Sequence, residues 1–79
     1  MNKKDEFIDL IKYLEPVEFI GLAQVLCVDI MDKETKQSRD FYVVLNDMIN
    51  KFNSLGRKQR REILSVLRKA RKENAGTEN

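Results

Sequence analysis

Arg57, Lys58, Arg61, Arg68, Lys69 and Lys72 are the residues of this sequence whose type and spacing could do chemistry. Laid out as a helix, they fall within one arc of about 120°. Ile63, Val66, Leu67 and Ala70 line the other side, with Leu64 at the edge. Arg60 and Arg71 flank that apolar stripe, where their stems can cover hydrophobic surface while the charged heads stay in water. A ladder of cations at this spacing matches phosphates along a nucleic-acid backbone and gains from counterion release. The predicted ligand is DNA or RNA held by its backbone, without strong reading of sequence.

The placement has a cost that helix stability alone would not select. Arg57, Lys58, Arg60 and Arg61 crowd the positive end of the helix dipole, unfavourable by ~0.3–1 kcal/mol each at low salt. A solvated face that balances an acidic body is the alternative, since Arg and Lys are good helix formers and aid solubility. The same face could also meet an acidic protein surface, which makes an interaction adaptor or inhibitor the second functional reading. A membrane-surface role is disfavoured, because the apolar side lacks Trp and Phe and is needed for a core.

Charge is uneven along the 79 residues. Residues 1–54 hold seven Lys/Arg against ten Asp/Glu, a net −3, whereas residues 55–79 hold eight against three, a net +5. With no His there is no ordinary general base near neutral pH and no Ser-His or Cys-His pair. The acids are scattered and no Gly-rich phosphate loop is present, so no catalytic residue, metal ligand set or cofactor is expected. One Cys allows no intrachain disulfide; Cys27 sits in an apolar run and is expected to be a buried structural residue in a reducing cytoplasm. MNKKDEF has acids directly after its lysines and does not resemble a signal peptide, and no stretch approaches the ~20 apolar residues of a membrane span. A soluble cytoplasmic protein is expected.

The elements that must position the cations follow from periodicity. Residues 4–14 predict a first helix with Phe7, Ile8, Leu10, Ile11 and Leu14 on one face and Asp5 as its cap. Pro16 opens a second, running to Cys27, with Phe19, Leu22, Ala23 and Leu26 toward the core. Val17, Gly21, Val25 and Val28 form a smaller stripe on it. Gly21 weakens a helix by ~1 kcal/mol relative to Ala, which suggests close approach of another backbone. That backbone is either the first or fourth helix of the same chain, or a second copy across a dimer seam at Val17, Gly21 and Val25. Residues 29–37 are polar and predict a loop, with Ser38 capping a third helix over residues 39–55. Its face of Phe41, Val44, Leu45, Met48, Ile49, Phe52 and Leu55 is broad enough to make it the central helix. Gly56, at a left-handed position, then turns the chain into the basic helix over residues 57–72. The expected architecture is an all-α, four-helix domain over residues 1–73, with a disordered polar tail over residues 74–79. A core this small supplies only ~3–5 kcal/mol, which keeps self-association open.

Two resemblances add to this. The run Gly21-Leu22-Ala23-Gln24-Val25-Leu26-Cys27-Val28 resembles the first helix and turn of a helix-turn-helix, which often reads leucine-alanine-x-x-leucine-glycine-valine. It departs at Cys27, where that motif has glycine. Residues 29–37 then give no recognition helix, with Lys33 where an inward apolar residue should fall. LEPVEFIGLA (Leu14–Ala23) and LGRKQRREIL (Leu55–Leu64) resemble small uncharacterised helical proteins of phage and mobile elements in Gram-positive bacteria. That resemblance implies an accessory or regulatory role, with no functional residue to carry over.

Overall fold

Proline and acidic side chains set where the first two helices stop and start. The computed structural model describes residues 3–76. Its helices are α1 (Lys3–Ile11), α2 (Pro16–Val25), α3 (Phe41–Ser54) and α4 (Arg57–Gly76), the expected all-α, four-helix domain. α1 ends three residues earlier than predicted, closed by tight bonds from the Tyr13 and Leu14 amides to the Leu10 and Ile11 carbonyls. Pro16 is the cause, because it holds Glu15 extended (φ −73°, ψ 159°). Asp5, predicted as the cap, lies within the first turn of α1 instead. Glu18 then reaches back to accept the Glu15 amide at 2.9 Å, one arm of a capping box at the start of α2.

The end of α2 explains the leucine-alanine-x-x-leucine pattern. The Cys27 amide bonds to the Gln24 carbonyl and the Val28 amide to the Ala23 carbonyl, with Cys27 left-handed at φ 59°. This is a Schellman motif, and its usual apolar contact is supplied by Ala23 and Val28, both buried. The motif-like run therefore encodes a helix stop. Cys27, expected in the core, is exposed, because the left-handed position turns its side chain away from the packed face.

Residues 29–38 form a small ordered hairpin around an antiparallel bridge between Met31 and Ser38. The Asp32 carboxylate accepts the Glu34 and Thr35 amides, and Lys36 takes the left-handed turn position at φ 59°. Arg39 ties the hairpin base to α3 by donating to the Asp29 carbonyl at 2.8 Å and to Asp47 at 2.6 Å. With the Arg39 amide also bonded to the Ile30 carbonyl, α3 starts later than expected. Asp40, not Ser38, caps it by accepting the Tyr42 amide at 2.8 Å. At the other end Leu55 is extended (φ −75°, ψ 155°) and makes the turn. Gly56 is not left-handed; its carbonyl receives the Arg60 amide, so it opens α4.

The core is built on α1. Phe7, Leu10 and Ile11 meet Val44, Met48 and Phe52 of α3 and Leu64 and Leu67 of α4, with the Phe7 and Phe52 rings stacked at 4.2 Å. The tightest backbone packing is α1 on α4 and α1 on α3, so α1 occupies the middle place predicted for the third helix. α3 has the expected amphipathic face except at its start, where Phe41 is half-exposed. α4 continues to Gly76, so residues 74–76 are helical where a tail was expected; residues 77–79 lie outside the described residues.

Candidate nucleic-acid interface

α4 has few residues on which to dock, and how it docks decides where its cations go. Its buried residues are Leu64, Leu67 and Ala70, with Ile63 half-buried. The docked face is thus rotated toward α1 relative to the predicted stripe. Leu64, placed at the edge by periodicity, is fully buried, while Val66 is 67% exposed. Arg60 and Arg71 lie beside the buried face as their spacing implies. Arg60 is half-buried with its Nε enclosed and without an acceptor, and the Arg71 guanidinium sits 5.8 Å from the Tyr13 ring centroid.

All six predicted contact residues are exposed. They are not equivalent. Arg68 donates from Nε and Nη2 to the two carboxylate oxygens of Glu6, at 2.5 and 2.8 Å. That bidentate bond raises the Arg68 pKa above its ordinary value and cancels its charge locally. Among the described residues, Arg57, Lys58, Arg61, Lys69 and Lys72 form no ion pair. The free strip is therefore two clusters separated by the Arg68–Glu6 clamp, Arg57/Lys58/Arg61 at the start of α4 and Lys69/Lys72 further on. At 1.5 Å per residue the cluster centres lie about 18 Å apart along the axis, enough to span a major groove about 12 Å wide. Gly56 offers no side chain to cap the first amides of α4, which leaves them beside the first cluster and favourable to an anion.

Two contacts lay beyond sequence reasoning. Glu6 and Arg68 are 62 residues apart, with no local signal to pair them. Asn74, assigned to the tail, donates to the Tyr13 carbonyl at 2.8 Å and to Glu18 at 3.0 Å, joining α4 to the α1–α2 connection.

The second predicted set, Val17, Gly21 and Val25, lies apart from this strip. Val17 and Val25 are 71% and 68% exposed. A Cβ built on Gly21 would meet nothing within 4 Å, so neither α1 nor α4 makes the close crossing that the glycine suggested. Between α2 and α4 lies an apolar groove of 530 Å³, walled by Leu14, Leu22, Val25, Ile63 and Val66. Among the described residues no helix is long and apolar enough to cross a membrane. The chain matches no known protein-family model, no curated protein and no solved structure.

Proposed function

We propose that this protein is a non-enzymatic, accessory or regulatory nucleic-acid-binding module of the cytoplasm, gripping the phosphate backbone with the free cations of α4. The observation that carries this reading is the division of labour on one helix. Leu64, Leu67 and the Arg68–Glu6 clamp hold α4 to α1, while Arg57, Lys58, Arg61, Lys69 and Lys72 stand exposed without carboxylate partners among the described residues. Cations left unpaired in a chain with 13 acidic residues are available to an external polyanion.

The test is fluorescence anisotropy with short single- and double-stranded oligonucleotides across a salt series. Five free cations give an expected log–log slope of about −4.5 on duplex, a fall of about 500-fold between about 50 and 200 mM salt. Replacing Arg57, Lys58 and Arg61 together with Gln flattens that slope by about 2.7 and leaves the circular dichroism unchanged. Absence of binding to either oligonucleotide at about 50 mM salt rejects the reading. Binding only to an acidic protein surface would assign the same face to an adaptor or inhibitor.

A further inference from the structure

α2 is apolar almost all round, yet the chain covers only one side of it. Ala23 and Leu26 are buried and Phe19 and Leu22 half-buried, while Val17, Ile20 and Val25 face outward. A helix of this composition is ordinarily enclosed, and exposed apolar patches usually mark an interface. We propose that this face is completed by a second copy of the chain, the two α2 helices crossing antiparallel about a two-fold axis at Gly21.

Charge and pattern on the face itself argue for a second copy. Glu18 is the one charged residue of α2, and its carboxylate is already held by the Glu15 amide and Asn74. An antiparallel crossing at Gly21 sets each Glu18 carboxylate against the partner's Gln24 rather than another acid, so two copies repel less here than across two α4 strips. A face whose charges are Glu18 and, at its α4 edge, Glu62, with Val17, Ile20 and Val25 exposed between, is matched by another largely apolar face. The pattern is also its own complement. Val17 and Val25 stand four residues before and four after Gly21, so an antiparallel two-fold sets each Val17 on the partner's Val25 and glycine on glycine. Nothing within 4 Å of a Gly21 Cβ blocks that approach from inside the chain, and a glycine waist permits close helix axes. Gly21 opens onto the groove walled by Leu22, Ile63 and Val66, with Glu62 among its lining residues, and this groove extends the mainly apolar area beyond α2. A small stable interface needs roughly 600 Å² from each partner, about a tenth of the 5968 Å² surface of this chain.

This inference does not depend on nucleic-acid binding, and its test contains none. Sedimentation of the full chain is followed from about 5 to 500 µM, a range suited to a small interface. The expected mass rises with concentration from 9.3 kDa toward twice that value and stops there. G21E, V17E and V25K each hold the mass near the single-chain value across the range. The double variant V17E/V25K restores dimerisation, because each new acid meets the partner's new base. Far-UV circular dichroism at the lowest concentration checks that every variant keeps its helices, as exposure of these sites leads one to expect. A wild-type mass fixed at one chain, growth beyond two chains, or single variants that associate like wild type would each overturn the proposal. Failure of V17E/V25K to recover would overturn the antiparallel arrangement.

Discussion

α2 and α4 are attached to the same small body in opposite ways. α4 is the most basic helix of the chain, yet it is docked along α1 through Leu64 and Leu67 and clamped by Arg68 on Glu6. α2 is the most apolar, yet Ala23 is its one fully buried residue within the helix, and its outer face is uncovered. Mean hydropathy does not rank burial here. What matters is whether apolar side chains are gathered on one stripe, as in α4, or spread round the helix, as in α2. A gathered stripe leaves the rest of the surface free for charge. A spread one leaves apolar surface that the chain cannot hide.

The comparison is broken most forcefully in the seam between α1 and α4. Leu64→Ala empties a site that is 1% exposed, at an expected cost of about 2–5 kcal/mol. That rivals the ~3–5 kcal/mol a core of this size supplies, so loss of helical signal at room temperature is expected. Val66→Ala, two residues away on the open side, should shift urea unfolding by less than about 0.5 kcal/mol. Equal effects at the two sites would mean that α4 docks in a different rotation.

A smaller effect of opposite sign is expected at Gly21. A Cβ there meets no neighbour, so Gly21→Ala should stabilise the dilute chain by up to about 1 kcal/mol through helix propensity. Urea melts at about 5 µM, where a weak dimer is dissociated, read this gain. A loss instead would show that Gly21 is already in contact within the single chain.

The two helices also differ in how far they could be read in advance. The existence of all four helices and the cation arc of α4 followed from period and charge, because both are written in neighbouring residues. The rotation of α4 did not, since Leu64 and Val66 are equally apolar and only the position of α1 decides which is buried. Left-handed Cys27 was hidden because a cysteine gives no sign of that backbone conformation, whereas the glycine that advertises it, Gly56, adopts another. Ser38 and Asp40 are both good caps, and the choice between them was made by Arg39, drawn into the hairpin and onto Asp47. The partners of Arg68 and Asn74 lie 56 to 62 residues away, out of reach of any local pattern.

The smallest effect sharpens the joint where the two helices meet. The Glu18 carboxylate accepts the Glu15 amide and the Asn74 side chain, and these bonds, the amide first, hold its pKa below the ordinary 4.5. A carboxylate with a depressed folded pKa adds stability that is fully present above the unfolded value and is lost as pH falls through the folded one. Wild type should therefore exceed Glu18→Gln in melting temperature by a constant amount above about pH 5, the gap closing below about pH 4.5. Asp32, held low by the Thr35 and Glu34 amides, titrates with the same sign in both proteins and cancels from the difference. Asn74→Ala removes one of the two donors, so it should narrow the gap between wild type and Glu18→Gln without abolishing it. If the gap is independent of pH, Glu18 contributes by packing rather than as a charged acceptor. The α2–α4 joint would then lack the polar tie that holds α2 in place while its outer face stays open.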